Sequence, residues 1–161
     1  MKEMHDLLDE IIKVANSKDF DNVKELLHGL LNQNADTKDV GFIGKILQME
    51  RKITGQTCEI TIPLNPMVNN GLGIVHGGVT ATLIDSAMGT LANSLLPEGF
   101  GAVTTQMNIH YIAPGIGESL RCVAHCEHQG TKTMVLTATV YRPDNKKVAT
   151  ASGSFFIIPK Q

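Results

Sequence analysis

Tryptophan is missing from this 161-residue chain, and aromatic residues make up only 4% of it. Its core must therefore be built from aliphatic side chains, methionine and alanine; at 42% hydrophobic residues, the length suits one domain with a sizeable core. No apolar run approaches the roughly 18–20 residues that a transmembrane helix needs. The opening residues, Met1-Lys2-Glu3-Met4-His5-Asp6, are polar and acidic and do not read as a secretory signal. The three cysteines, Cys58, Cys122 and Cys126, show no CxxC spacing. An odd, sparse set argues against a disulfide framework and fits a reducing compartment, so a cytoplasmic location is expected. A formal net charge of −2 offers no broad basic surface, so neither nucleic acid nor an anionic membrane is expected as a partner.

Several chemistries also lack their motifs. There is no Gly-x-Ser-x-Gly elbow for an α/β-hydrolase triad. Gly71-x-Gly73 lacks the rest of the dinucleotide fingerprint and precedes no βαβ unit. His125, Cys126 and His128 crowd together, but on a strand His125 faces away from the other two, and no pairing has zinc spacing. Neither a metal nor a cofactor is expected.

What is present is a change of periodicity. Residues 1–35 read as two short amphipathic helices: Leu7, Leu8, Ile11, Ile12 and Ala15 recur at helical spacing, Asn16-Ser17-Lys18-Asp19 breaks the pattern, and Val23, Leu26, Leu27, Leu30 and Leu31 resume it. Asn32 to Asp39 reads as a polar linker. Two strands are expected next, Gly41 to Arg51 and Gly55 to Ile62, the second alternating Cys58, Ile60 and Ile62 against Thr57, Glu59 and Thr61. A loop rich in Pro, Asn and Gly spans Pro63 to Val75, and a long helix follows from about Gly78 to Leu96. Four more strands are expected: Ala102 to Ile112, Ser119 to His128, Thr133 to Tyr141 and Lys147 to Ile158. Their short turns favour antiparallel neighbours. The fold class is α+β, with the sheet burying one long helix. The division expected is a helical extension over 1–38 and the main domain over 39–161.

Asp85 is the only charge between Gly78 and Leu96. Val79, Leu83, Ala87, Leu91 and Leu95 form a stripe at i+4, and Asp85 lies roughly opposite, on a face shared with Thr82 and Gly89. A carboxylate on so apolar a helix costs free energy unless it is paired, hydrogen-bonded or useful. Taken alone, it reads equally as a structural group bonded to Thr82 or to a partner chain. His76-Gly77-Gly78 stands at the helix start, about two turns upstream. Its glycines admit close approach to the backbone, and the first N–H groups of a helix are unpaired and lie at its positive end. Such groups polarise a carbonyl and hold an oxyanion, and a carboxylate further along the helix is placed to attack that carbonyl or activate water.

The run Asn70-Gly71-Leu72-Gly73-Ile74-Val75-His76-Gly77-Gly78-Val79-Thr80-Ala81-Thr82-Leu83-Ile84-Asp85 resembles the hotdog-fold thioesterases of the phenylacetate-degradation (PaaI-like) and human acyl-CoA thioesterase thirteen type. The strand Gln106-Met107-Asn108-Ile109-His110-Tyr111-Ile112-Ala113-Pro114 agrees with it. The resemblance covers roughly residues 42–158 and leaves 1–35 outside. It implies a hotdog fold, an antiparallel sheet wrapped around one central helix, and hydrolysis of an acyl-CoA to free acid and CoA. It implies Asp85 as general base or nucleophile, Gly77 as the N–H donor to the thioester carbonyl, and His76 as its support. Asn70 would help place the carbonyl or water. Thr104 stands where the family often has Ser, a hydroxyl assisting from the opposing subunit. Homodimers or homotetramers with sites at subunit junctions are implied as well. Gly78 and Lys132 are expected to contact substrate, with Arg121, Lys146 and Lys147 as further phosphate candidates. A non-catalytic acyl-CoA sensor is the alternative, with residues 1–35 as its output element; a hotdog dehydratase would need an Asp/His or Glu/His pair in a different motif.

Overall fold

A computed structural model describes residues 2–31 and 41–160 of the chain. Two helices come first, α1 (Lys2–Val14) and α2 (Ser17–Leu31). Asn16 separates them, its side-chain oxygen accepting the Asp19 N–H at 3.0 Å and so capping α2. The expected linker, Asn32 to Asp39, lies outside the described residues.

The strand expected over Gly41 to Arg51 is corrected: its first half is a short helix, α3 (Phe42–Ile46), and β1 starts only at Glu50 and runs to Thr54. Phe, Ile and Ile favour strands as isolated residues, but local hydrogen bonds close this segment into a turn. The Met49 N–H reaches Gly44 O at 2.9 Å and the Gln48 N–H reaches Lys45 O at 3.1 Å, the paired bonds of a Schellman C-cap. Gln48 occupies the left-handed position usually given to glycine, at φ 50°. Its side chain bonds Glu25 Oε2 on α2 at 3.1 Å, so it ties α2 to α3.

The remaining elements follow the expected order: β2 (Thr57–Pro63), a 3-10 turn (Pro66–Val68), α4 (Gly77–Ser94), β3 (Phe100–Tyr111), β4 (Ser119–Gln129), β5 (Thr133–Tyr141) and β6 (Lys147–Pro159). The six strands form one antiparallel sheet in the order β1-β2-β4-β5-β6-β3. Alternation in β2 is as the sequence predicts: Cys58, Ile60 and Ile62 are fully buried, and the residues between them are half-buried.

Helix α4 lies against one face of the sheet. Leu83, Ile84, Ala87, Met88, Leu91 and Ala92 are fully buried there among Ile60, Leu120, Leu136 and Phe155. Each large apolar side chain so buried contributes about 1.5–3 kcal/mol, which anchors the helix axis and fixes which residues face outward. Thr82, Asp85, Ser86 and Gly89 are left half-buried on the other side. Strand β3 returns along that outward side as a sheet edge. A bulge between Thr104 and Gln106 breaks its regular alternation, so the orientation of Thr105 is set by the bulge, and its hydroxyl donates to Ser154 O at 3.0 Å.

Candidate active site

The Thr104 hydroxyl donates to Asp85 Oδ1 at 2.7 Å, joining mid-α4 to the edge strand β3. The other Asp85 oxygen makes no hydrogen bond among the described residues. Thr82, the structural partner considered for Asp85, instead turns its hydroxyl back onto Gly78 O at 2.9 Å. The resemblance draws the Thr104 hydroxyl from an opposing subunit; here it bonds the carboxylate of its own chain. Asp85 and Thr104 line a groove of about 340 Å³ whose apolar wall includes Ile43, Met49, Val103 and Phe155. A half-buried carboxylate with one oxygen fixed and one open to such a groove is equipped to take a proton or attack an electrophile. A larger hollow of about 750 Å³, between α2–α3 and the β1–β2 edge, contains none of the predicted site residues.

A second cluster forms at the start of α4. His76 is the N-cap, and its Nδ1 accepts the Gly78 N–H at 2.9 Å. An accepting ring nitrogen carries no proton, so the imidazole proton resides on Nε2. The His76 carbonyl accepts the N–H of Val79 at 2.9 Å and of Thr80 at 3.2 Å. Of the first four amides of the helix, Gly77 alone keeps an N–H without a partner among the described residues, at the positive end of the helix. The Gly78 amide, expected to contact substrate, is already engaged. Its glycine identity has another cause: a Cβ there would come within 3.0 Å of His76 Nδ1.

Asn70 sits in the loop leading to this helix. Its side-chain oxygen accepts the Leu72 N–H at 2.8 Å, and its backbone N–H donates to Ile74 O at 2.8 Å, leaving the side-chain NH₂ as the group able to reach a ligand. The loop folds back so that Asn69 bridges Val75, which brings Asn70 beside the helix start. Sequence reasoning missed Tyr111, whose hydroxyl donates to Gly77 O at 2.8 Å across 34 positions of chain; no local pattern announces that pairing.

The structure does not unite the two clusters within one chain. Asp85 lies eight positions after Gly77, which is about 12 Å along the helix at about 1.5 Å per residue. One carbonyl cannot contact both groups of the same chain, a spacing that agrees with the expectation of a site formed between chains. Lys132 is also remote. It is exposed in the β4–β5 turn, on the hairpin whose Gln129 bonds Leu95 O at the opposite end of α4. Arg121 is engaged with Glu59 at 2.9 Å and stacks on Tyr141. The cysteines offer no nucleophile: burial pushes the Cys58 thiol up to about 11 and raises those of Cys122 and Cys126, keeping them protonated.

Comparisons with known proteins agree with this architecture. The Thioesterase superfamily matches residues 72–149, a stretch that includes Asp85, both helix-start glycines and Thr104. Human acyl-coenzyme A thioesterase 13 is 34% identical over 97 residues, covering 60% of this chain and 66% of that protein, just under two thirds of its length. Acyl-coenzyme A thioesterase PaaI of Escherichia coli is 28% identical over 127 residues, covering 78% of this chain and 84% of that one. Among solved structures, the BH2602 protein of Bacillus halodurans, crystallised with CoA, superposes with a TM-score of 0.83 at 38% identity, covering 92% of this chain and 98% of that one. With a sheet wrapped around one central helix and relatives of this similarity, the chain belongs to the thioesterase superfamily and has the hotdog fold.

Proposed function

We propose that the chain hydrolyses acyl-CoA thioesters to carboxylic acid and CoA, at sites that each combine Asp85 and Thr104 of one copy with Asn70, His76 and Gly77 of another. The observation that carries this reading is the separation of two complementary half-sites on one helix, an open carboxylate oxygen at Asp85 and an open N–H at Gly77. Each lacks what the other supplies, and a second copy docked antiparallel along α4 brings them together. The long edge strand β3 supports such docking, because an open edge that exposes Val103 and Tyr111 invites pairing with another strand. A homodimer, or a pair of such dimers, is the assembly this requires.

In the reaction, the Gly77 N–H receives the thioester oxygen, which gains negative charge as the carbonyl is attacked. Asp85 either removes a proton from the attacking water or adds to the carbonyl itself, giving an anhydride that water then opens. In both routes the C–S bond breaks and CoA leaves as a thiolate that is afterwards protonated. Thr104 holds Asp85 Oδ1 and leaves the second oxygen for chemistry. Residues 39–161 form the catalytic domain in this proposal and residues 1–38 an extension. Lys132 meets the CoA phosphates only from a neighbouring copy, and Gly78 contributes by letting His76 close over it. CoA in the Bacillus halodurans relative supports the choice of thioester. A module that only sensed acyl-CoA would gain nothing from an unpaired carboxylate oxygen in its groove, since desolvating it costs free energy.

A panel of acyl-CoAs with detection of released thiol tests the activity. Asp85→Ala is expected to lose nearly all turnover while retaining its circular dichroism spectrum and oligomeric state. Wild-type-like hydrolysis by folded Asp85→Ala would sink the assignment.

A further inference from the structure

We infer that Tyr111 is a positioning residue for the amide that receives the carbonyl, an inference resting on the thioesterase reading above. Two peptide planes meet at Gly77. In the first, between His76 and Gly77, the carbonyl accepts two helix amides, from Val79 and Thr80, while the N–H is the open donor. In the second, between Gly77 and Gly78, both polar ends are held by side chains: Tyr111 donates to the carbonyl at 2.8 Å, and His76 Nδ1 accepts the N–H at 2.9 Å. Glycine has the widest backbone freedom of any residue, so without side-chain support the open N–H would be held in place only by the two helix amides on the carbonyl of its own plane. Fixing the following plane from both sides removes that freedom.

The two side-chain bonds also reinforce each other. A donor on the peptide oxygen draws charge through the amide and makes its N–H a stronger donor, so the Tyr111 bond strengthens the His76 bond across the same plane. His76 alone can rotate with that peptide, because it is its immediate neighbour. Tyr111 comes from β3, on the sheet, and refers the peptide to the rigid part of the fold. A ligand oxygen held to one N–H loses much of its stabilisation when that N–H is misdirected, which is why support from a separate element matters.

The test is Tyr111→Phe, which removes the hydroxyl and keeps the ring beside Gly77. Steady-state hydrolysis is expected to show kcat reduced about tenfold, the loss typical of one hydrogen bond, with KM within about twofold. A ketone analogue of the substrate, which keeps the carbonyl, binds several-fold more weakly, whereas the thioether analogue without a carbonyl binds as to wild type. The Gly78 amide proton exchanges several-fold faster in the variant, and the unfolding midpoint stays near that of wild type. Wild-type kcat in Tyr111→Phe, or equal weakening of both analogues, overturns the inference. Asp85→Ala in the same assays separates the two claims. If it is inactive while Tyr111→Phe is fully active, only the role of Tyr111 fails. If it hydrolyses normally, the reading of the base fails, and the Gly78 exchange rate still decides whether Tyr111 holds the peptide.

Discussion

In the proposed site the start of α4 and its middle supply the two halves, and they are made of different material. At the start, the working group is a backbone N–H, and the residues that shape it, His76, Gly77 and Gly78, are consecutive. In the middle, the working group is a side chain, and its partner Thr104 comes from another element 19 positions away. The first half depends on local conformation and tolerates little side-chain bulk. The second depends on how β3 is laid along the helix, and so on the packing of the whole sheet. A backbone site is therefore broken by removing an N–H or bending a turn, and a side-chain site by removing an atom or shifting a strand.

This contrast orders the experiments. Asp85→Ala, the deletion of the proposed reacting group, carries the largest expected loss. Gly77→Pro comes next and isolates the other half. Proline is well accommodated at the first position of a helix, and His76, at ψ 135°, already has the extended conformation that proline requires before it. The variant folds but lacks the one open N–H, so kcat is expected to fall about 100- to 1,000-fold in the thiol-release assay. Mixing and reassociating these two inactive proteins then tests whether the halves come from different copies. Random exchange in a two-fold dimer gives about half heterodimers, each with one intact site, so about a quarter of wild-type activity returns. No recovery in a mixture shown to exchange subunits would place both halves in one chain.

Smaller effects sharpen the comparison further. Thr104→Val keeps the shape of the side chain and removes the hydroxyl from Asp85. A roughly tenfold fall in kcat is expected, with Thr104→Ser close to wild type, because one charge-assisted hydrogen bond is at stake. Gly29→Ala falls on α2, which carries none of the proposed site residues. A Cβ there would stand 2.5 Å from Lys45 O, so α2 must move away from α3. Hydrogen exchange is expected to quicken in α2, at a local cost of about 1–3 kcal/mol, while the sheet keeps its protection and hydrolysis changes least of all the variants.

Much of this was legible from residue patterns. The period-2 alternation of β2 and the apolar stripe of α4 reflect burial on one face, which any packing of these elements must respect. His76-Gly77-Gly78 was legible because capping is local. The strand expected at Gly41 failed because Phe42, Ile43 and Ile46 satisfy both strand propensity and a short helix, and only the Gln48 cap and its bond to Glu25 decide between them. Tyr111 escaped notice for a related reason: a tyrosine late in a strand carries no sign of the carbonyl it will meet.

By itself, then, the amino-acid sequence determined the α+β class, the long buried helix, a lone carboxylate on its outward face and an anion-receptive turn at its start. These follow from hydrophobic periodicity and from capping, interactions that span a few residues. Only the tertiary structure decided that Asp85 is held by Thr104 rather than Thr82 and that Tyr111 bonds the Gly77 carbonyl. Those outcomes depend on where β3 lies against α4, and that placement is set by a core drawn from every strand of the sheet.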